Sequence, residues 1–231
     1  MSEFYEIFVD YYDQIFPLSE ELKNFVSSYI ESGNTYLDIG CGTGELVIYL
    51  SNKNILKEII ATDIDDAMLE KAKKKTKNVN FIKLDMRELN YDEKFDTISC
   101  FGNTIVHLTS LKDIEIFFNN VFKALKKGGK FLFQILNYNI VQNFPTIQND
   151  VFIFERYYKY EKELIKFKVK FSLKKLKETF ESSIFLYPLK FDTISEILTT
   201  SKIKNISFFS DFKKNPFNSE KSSLLVGVIE K

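Results

Sequence analysis

A glycine-rich turn near residue 40 constrains the fold of this 231-residue chain more than any other segment. Residues 36–44 read YLDIGCGTG, so an apolar run of strand length leads directly into three closely spaced glycines. Glycine is needed where a strand turns sharply into a helix and where a ligand approaches the backbone closely. Similar turns also join strands to helices in sites that bind nothing. The elements that follow the turn therefore decide whether it is interpreted as a ligand-binding loop.

Short apolar strands alternate with helices between residues 36 and 135. The pattern predicts strands over residues 36–39, 59–62, 79–83, 95–100 and 130–135. Helices are predicted between them, over residues 45–50 and 67–75 and from Ser110 to the basic residues before Gly128. This alternation is typical of an α/β fold, in which helices cover both faces of a parallel sheet.

Three segments outside this alternation follow other patterns. Residues 1–32 predict a helical cap of two amphipathic helices, and the apolar face of the first contains Phe4, Ile7, Phe8, Tyr11 and Ile15. In residues 141–190 apolar residues alternate with lysines, which predicts two or three antiparallel strands that cover one side of the sheet. In residues 191–231 a capping box at Thr193 predicts a short helix, and residues 203–212 and 223–230 predict a closing strand pair.

We expect these segments to form a single domain in which residues 36–140 bind a cofactor. Asp63 ends the second predicted strand, and Asp85, followed by Met86, ends the third. Parallel strands bring their carboxyl ends to one edge of the sheet, which is where open α/β sheets bind ligands. An acid at Asp63 is placed to bind both hydroxyls of a ribose, and Asp85 with Met86 suits the amine and the face of an adenine.

Taken together, these segments resemble the class I S-adenosylmethionine-dependent methyltransferases. The resemblance rests on DIGCGTG at 38–44, DID at 63–65, LDM at 84–86, FD at 95–96 and KKGG at 126–129. It implies a Rossmann-like, seven-stranded sheet, mostly parallel, with an antiparallel closing strand pair and a small antiparallel β insertion after strand five. It also implies S-adenosyl-L-methionine as cofactor, S-adenosyl-L-homocysteine as product, and transfer of a methyl group to a nitrogen or oxygen of a small molecule.

The resemblance assigns roles to residues of the glycine loop and the strand ends. Gly40 and Gly42 would lie against the methionine part of the cofactor, Asp38 would stabilise the loop, and Asp63 would hold the ribose. The predicted cofactor-binding residues are Tyr12, Asp38, Gly40, Gly42, Asp63, Ile64, Asp85, Met86 and Phe101.

Three further segments are similar to the glycine and sarcosine N-methyltransferase branch of this family. They read FGNTIVHL at 101–108, LNY at 136–138, and FY with YYD at 4–5 and 11–13. The likeness implies that the N-terminal tyrosines close over cofactor and substrate and that Asn103 lines the substrate pocket. From their position we predict Tyr12, Asn103 and His107 as catalytic residues. The predicted substrate-binding residues are Asn103, Asn137, Tyr138 and Arg156. Enzymes of this branch that act on free amino acids are expected to carry an arginine at the position of Leu136, so a glycine-like substrate does not follow. Arg156 is the alternative anion clamp, and an exposed surface arginine is its simpler interpretation.

Two functions from other classes stay open. A protein with this loop could bind S-adenosylmethionine without transferring its methyl group. A nicotinamide-dependent oxidoreductase usually spaces its glycines as GxGxxG around a pyrophosphate. Here the third glycine comes one residue early, and Glu45 follows it at the start of the helix, where an acid repels a diphosphate.

Composition excludes several partners. The chain carries 32 basic and 32 acidic residues, so it lacks the positive charge of a general nucleic-acid binder. No apolar run reaches the ~20 residues of a membrane span. Cys41 and Cys100 form neither a CxxC pair nor a disulfide framework, which indicates a reduced, cytoplasmic setting. The acids at 63–66 are interpreted as a helix cap rather than a metal site.

The balanced charge is unevenly distributed. Between Val151 and Lys190, ten basic residues face five acidic ones. The segment expected to cover the active site is therefore its basic part, either as a solvated lysine face or as a surface that attracts an acidic small molecule. Composition gives no indication of the oligomeric state.

Overall fold

A computed structural model describes residues 5–140, 144–200 and 205–231. Phe4 and the predicted strand start at Ile203 lie outside the described residues. The strands are β1 (Thr35–Ile39), β2 (Glu58–Asp63), β3 (Asn80–Lys83), β4 (Phe95–Cys100), β5 (Leu125–Leu136), β6 (Ile147–Gln148), β7 (Phe152–Glu161), β8 (Leu164–Leu173), β9 (Glu178–Leu186), β10 (Asn205–Phe209) and β11 (Leu224–Glu230). The α-helices are α1 (Tyr12–Ile15), α2 (Glu20–Ser27), α3 (Glu45–Ser51), α4 (Asp66–Lys75), α5 (Leu111–Ala124) and α6 (Phe191–Thr200).

The main sheet has seven strands in the order β10-β11-β5-β4-β1-β2-β3. Strands β5, β4, β1, β2 and β3 pair in parallel, and β11 pairs antiparallel with both β5 and β10. Every residue of β1 is buried, as expected for a strand covered on both faces. The α/β class and the seven-stranded sheet with its antiparallel closing pair are confirmed.

Strands β6 to β9 form a second, antiparallel sheet. Its alternation follows the sequence: Ile165, Val169 and Phe171 are buried on one face, and the lysines between them lie on the other face. Side chains from this buried face join the same hydrophobic core as α5 and β5. The predicted antiparallel insertion after strand five is thereby confirmed.

Several element boundaries differ from the prediction. The first N-terminal helix is interrupted: a 3-10 turn at Val9–Tyr11 precedes the single turn α1. Helix α5 ends at Ala124, earlier than the basic residues before Gly128, and β5 begins at Leu125 opposite Phe95. Helix α6 begins at Phe191, before the predicted cap, because the N–H of Ile194 already bonds the carbonyl of Lys190.

Other local predictions are confirmed by their hydrogen bonds. Ser19 caps α2 by accepting from the N–H of Leu22 at 3.1 Å, and Asp65 caps α4 by accepting from the N–H of Met68 at 3.0 Å. Short polar side chains at these positions satisfy helix N–H groups that lack an intrahelical partner. Within the described residues, no helix has the length and apolar character required to cross a membrane.

Candidate functional site

Three adjoining cavities lie along the carboxyl edge of the parallel strands. The loop cavity, of about 270 Å³, lies against the glycine loop and is also lined by Tyr12, Asp38, Asp63, Phe101 and Gln134. The edge cavity, of about 170 Å³, is lined by Ile64, Asp85, Met86 and Arg87 among others. The aromatic cavity, of about 210 Å³, lies between the N-terminal segment and the second sheet. His107 lines all three cavities.

The glycine loop is folded tightly between strand β1 and helix α3. Gly40 has φ +72°, and a Cβ there would lie 2.7 Å from Oγ1 of Thr104. Gly42 has φ +54°, and a Cβ there would lie 3.5 Å from the ring of Tyr12. Positive φ disfavours a side chain at both positions, and at Gly40 the side chain of Thr104 also leaves no room for one. Gly40 and Gly42 therefore line the loop cavity with backbone atoms, in conformations that suit glycine.

Asp63 connects the glycine loop to the end of β2. One carboxylate oxygen accepts the N–H of Gly42 at 2.8 Å, and the other accepts the N–H of Asp65 at 3.0 Å. A carboxylate offers about four acceptor sites, so both oxygens keep capacity for ligand hydroxyls. Burial raises the pKa of Asp63 above its usual range. The same residue can therefore hold the loop and face a ribose.

Asp38 is a second acid in the lining of the loop cavity. It is buried at the end of β1 and accepts a 2.5 Å hydrogen bond from the hydroxyl of Ser99, which in turn accepts from the hydroxyl of Tyr36. Burial raises the pKa of Asp38 to about 7, and the nearby charge of Asp63 acts in the same direction. A bound cation would favour the ionised form of both acids.

The edge cavity contains the predicted adenine-binding residues. Ile64 and Met86 present apolar side chains to it, and Asp85 lies beside them. Asp85 is engaged by Arg87, whose Nη2 lies 2.6 Å from Oδ2, and this hydrogen bond holds the pKa of Asp85 below its usual range. An adenine amine would therefore share Asp85 with Arg87.

The N-terminal segment is attached to the loop cavity by a charged cluster. Lys75 lies 2.7 Å from both Asp13 and Glu45, and Asp13 also accepts from the hydroxyl of Thr43. Lys71 donates to the carbonyl of Val9 at 2.6 Å. These contacts hold Tyr12 over Gly42. They also balance the charge of Glu45, so its repulsion of a diphosphate is weaker than its sequence position suggests.

His107 lies where the three cavities meet. Its Nε2 is 3.3 Å from the hydroxyl of Tyr5, and burial lowers its pKa to about 4. The imidazole is therefore neutral near pH 7 and has an unprotonated nitrogen. Of the predicted catalytic residues, His107 and Tyr12 line the loop cavity and the aromatic cavity, whereas Asn103 lines only the aromatic cavity.

The predicted substrate-binding residues are only partly brought together. Asn103 lines the aromatic cavity, but its amide donates to the hydroxyl of Tyr138 at 2.8 Å and accepts the N–H of Leu136 at 3.0 Å. Tyr138 is buried behind Asn103, outside the lining of the three cavities. Asn103 and Tyr138 thus support the wall of the cavity.

Asn137, predicted to bind substrate, is not among the residues that line the three cavities. It directly follows the last residue of β5, Leu136, which lines the aromatic cavity. The amide of Asn137 donates to the carbonyls of Ser219 and Ser222 at 2.9 and 2.8 Å. It joins the end of β5 to the loop before β11. Arg156, by contrast, lines the aromatic cavity and is not an exposed surface arginine.

Gln134 and Tyr5 are among the lining residues that the sequence did not predict. Gln134 is buried in β5, accepts the N–H of Gly102 at 3.1 Å, and lines both the loop and the aromatic cavity. A lone amide inside the apolar run FLFQIL was the available signal. Tyr5 was noted only as part of the N-terminal resemblance, yet it contacts His107.

The polar groups around the loop cavity fit S-adenosylmethionine. The lining described here contains Asp13, Asp38, Glu45, Asp63 and Asp65 but neither Lys nor Arg. Asp13 and Glu45 are already paired with Lys75, so the preference for a cationic ligand with hydroxyl groups rests on Asp38, Asp63 and Asp65. In the described part of the chain, no group of three or more His, Cys, Asp or Glu side chains is arranged to hold a metal ion. The expected absence of a metal stays a prediction.

Comparison with known proteins agrees with this geometry. Residues 37–129 match the family described as "Methyltransferase domain". YqeM of Bacillus subtilis (strain 168), itself only provisionally named a methyltransferase, is 31% identical over 149 residues, which are 61% of this chain and 59% of that protein. The match thus spans less than two thirds of this curated relative.

Solved structures share the fold along the whole chain. An S-adenosylmethionine-dependent methyltransferase from Clostridium acetobutylicum ATCC 824 superposes with a TM-score of 0.81 at 21% identity and covers 99% of this chain and 97% of its own. The sugar N-methyltransferase KedS8 from Streptoalloteichus sp ATCC 53650 superposes with a TM-score of 0.74 at 14% identity, covering 100% and 94%. At these identities the likeness concerns the fold.

Proposed function

We propose that this chain, which carries a methyltransferase domain of the class I fold, transfers the methyl group of S-adenosylmethionine to a nitrogen or oxygen of a small molecule. One observation carries the proposal: the acid-lined loop cavity and the aromatic cavity meet at His107, Tyr12 and Gln134. A methyl donor and a methyl acceptor need two such adjoining compartments, one for each reactant.

When bound, S-adenosylmethionine supplies an electrophilic methyl carbon on a positively charged sulfur. The chain itself has to bind the reactants, align them and exclude water. Asp63 and the glycine loop would orient the methyl donor on one side of the loop cavity, and Tyr12 of the N-terminal segment would cover it on the other side. The ion pairs of Lys75 with Asp13 and Glu45 hold that cover in place.

His107 is the group placed to receive a proton from the acceptor or to orient its nucleophilic atom. Its pKa of about 4 leaves it neutral near pH 7, so it accepts a hydrogen bond there but is a weak base. The acceptor would therefore react as a neutral amine or as a hydroxyl that is already polarised. Asn103 acts as a positioning residue, since its amide holds Leu136 and Tyr138.

The size of the aromatic cavity supports a small-molecule acceptor. Its volume is about 210 Å³, and its walls are formed by aromatic side chains of the N-terminal segment and the second sheet. The sugar N-methyltransferase among the structural neighbours supports the same acceptor class. The balanced charge of the chain disfavours a nucleic acid.

Ligand-induced thermal stabilisation of the full chain tests the cofactor. S-adenosylmethionine and S-adenosylhomocysteine are expected to raise the melting temperature, whereas NAD is not. Asp63→Ala should weaken S-adenosylhomocysteine binding by about 1.5–3 kcal/mol, because a charge-assisted hydrogen bond is lost. Asp66→Ala is the matched control, since Asp66 is exposed and pairs with Lys83 on the surface.

Formation of S-adenosylhomocysteine with a panel of small amines and alcohols then tests the transfer. Stabilisation by NAD alone would refute the cofactor assignment. Binding of S-adenosylmethionine without turnover of any acceptor would instead support a binding protein without transferase activity.

A further inference from the structure

Arg156 is the cationic side chain in the wall of the aromatic cavity. It lies on β7 opposite Val169 of β8, on the face of the second sheet that packs against the core. The lysines of β8 point to the opposite face, as strand alternation requires. Arg156 thus stands apart from the basic outer surface of this sheet.

Arg156 has no acidic partner among the described residues. Its Nε is buried and makes no hydrogen bond. The adjacent acid, Glu155, faces the outer surface, where it interacts with Lys170 and accepts from the hydroxyl of Tyr157. Burial also lowers the pKa of Arg156. A partly buried charge without a counter-ion is costly, so a ligand that supplies the opposite charge would relieve the cost.

Aromatic rings pack against the guanidinium of Arg156, so a ligand would bind to the N–H groups at its edge. Its Cζ lies 4.6 Å from the ring centroid of Phe144 and 5.8 Å from that of Phe16. These rings cover the guanidinium, and its N–H donors point outward in the plane of the group. A carboxylate matches two adjacent donors of such a fork.

We infer that the methyl acceptor carries a single carboxylate, bound by Arg156, on an aromatic or apolar body that fills the aromatic cavity. The inference rests on the proposed transferase function and names its acceptor class. Leu136, at the end of β5 in the main sheet, lines the same cavity and carries no charge. The positive charge of the cavity wall is supplied by Arg156 of the second sheet.

One positive charge favours a carboxylate over a phosphate. The described lining of the aromatic cavity contains Arg156 but no lysine and no acid. The other titratable base in the lining, His107, is neutral near pH 7. A phosphate dianion would keep about one uncompensated charge in an aromatic environment, whereas a carboxylate would be neutralised. Phe154 and Phe167 on the strands of the second sheet supply the apolar contacts for the body of the ligand.

Binding of simple acids to the full chain tests this inference. The probes are benzoate and phenylacetate, their neutral amides benzamide and phenylacetamide, and phenyl phosphate, each titrated in saturating S-adenosylhomocysteine by calorimetry. The acids should bind at least about tenfold more tightly than the amides, and Arg156→Met should remove this difference. Lys166→Met removes a charge from the outer face of the same sheet and should leave the difference unchanged.

The outcomes separate this inference from the proposed function. Stabilisation by S-adenosylhomocysteine in both wild type and Arg156→Met keeps the cofactor assignment, whatever the acids do. Equal binding of acid and amide, failure of both acids to bind, tighter binding of phenyl phosphate, or an unchanged preference in Arg156→Met would each overturn the carboxylate site. Where Arg156→Met does not fold, Arg156→Lys serves instead. It keeps the charge but loses the planar fork, and is expected to reduce the preference severalfold.

Discussion

The loop cavity and the aromatic cavity share one wall but have opposite chemistry. The loop cavity is lined by five acids, in a lining that has neither lysine nor arginine among the described residues. The aromatic cavity is lined by one arginine and no acid of the described chain. The first contains the glycine loop and the strand ends, and side chains of the N-terminal segment complete it. The second is made from side chains that come from distant segments.

This difference separates what the fold imposes from what the individual chain supplies. Gly40, Gly42 and Asp63 lie where the parallel sheet of this fold exposes its ligand-binding edge. Phe8, Phe16 and Phe154, in contrast, meet only because the N-terminal segment packs on the second sheet. Phe16 also lines the loop cavity, whereas Phe8 and Phe154 do not. We therefore expect cofactor binding to tolerate changes at Phe8 and Phe154, and acceptor binding to depend on them.

The largest effect is expected for Phe154→Ala. Phe154 is fully buried, and its ring lies 5.1 Å from the ring of Phe8 and 5.6 Å from that of Phe16, between centroids. Its truncation should lower the free energy of unfolding by about 3–5 kcal/mol, since a cavity replaces a large core side chain. Denaturant unfolding measures the loss. Phe185→Ala, on a ring that is 45% exposed, should cost less than about 1 kcal/mol.

The same variant tests whether the two cavities are independent. Phe154 does not line the loop cavity, so the folded fraction should bind S-adenosylhomocysteine within about threefold of the wild type. A much larger loss of affinity would show that the aromatic wall also shapes the cofactor site, and the contrast between the two cavities would be wrong.

Gly40→Ala tests the backbone-built cavity. The new Cβ would lie 2.7 Å from Oγ1 of Thr104, a hydroxyl that donates to the carbonyl of Phe101, at a residue with φ +72°. We expect a loss of about 2–4 kcal/mol in stability and at least about tenfold in cofactor affinity, from backbone strain and a displaced Thr104. Gly33→Ala is the matched control: φ is +83°, with nothing within 4 Å of the new Cβ.

Gly33→Ala should lower the free energy of unfolding by only roughly 1–2 kcal/mol, which is the backbone strain common to both positions. Equal effects of the two substitutions on stability and on cofactor affinity would argue against a close-packed loop.

Sequence reasoning succeeded where a local pattern fixes a local structure. Strand β4 was predicted with its observed bounds, and Ser19 and Asp65 cap helices as expected. The two caps and the strand depend on neighbours in sequence or on one strand pairing. The contact of Asp63 with the glycine loop was not predicted, because the resemblance assigns Asp63 to the ribose and loop stabilisation to Asp38. The start of β5 was missed, because the pairing of Leu125 with Phe95 outweighs the usual helix-ending role of glycine.

The aromatic cavity could not be assembled from the sequence. Arg156 reads as one of ten basic residues in its segment, and only the register of β7 with β8 shows that it points inward. Leu136 lines the aromatic cavity, whereas the adjacent Asn137 bonds the loop before β11, so a motif that contains both cannot tell which one faces the cavity. Long-range packing decides both cases.

The pH dependence of stability tests the acidic character of the loop cavity. The folded pKa of Asp38, about 7, lies above its unfolded value of about 3.8, so the folded state holds an extra proton between these values. The stability from Asp38 is therefore complete below about pH 4 and is lost as the pH rises through 7. Relative to Asp38→Asn, the free energy of unfolding of the wild type should fall by roughly 2–3 kcal/mol from pH 5 to pH 7.

S-adenosylmethionine should reduce this dependence, because a bound cation favours the ionised carboxyl. Urea unfolding across the pH range, with and without the ligand, provides the measurement. A flat difference between the two proteins would mean that Asp38 is ionised throughout, and that the cavity is less dry than its lining indicates.

The smallest effect is expected for Tyr5→Phe, at the boundary between the two cavities. Its hydroxyl lies 3.3 Å from Nε2 of His107, and its ring packs edge-on against Tyr12. Phenylalanine keeps the ring contact and removes the hydroxyl, which should cost about 0.5–1 kcal/mol in transition-state stabilisation, a twofold to fivefold drop in kcat. Cofactor affinity should stay constant, because Asp63 and the glycine loop are unchanged.

Tyr157→Phe is the control for this variant, since its hydroxyl bonds Glu155 on the outer face of the second sheet. Steady-state turnover of an identified acceptor, with S-adenosylhomocysteine binding measured beside it, separates the two effects. If Tyr5→Phe weakened cofactor binding while kcat stayed unchanged, the hydroxyl would belong to the loop cavity. His107 would then be held for the methyl donor, and the acceptor would have to be oriented by the aromatic wall alone.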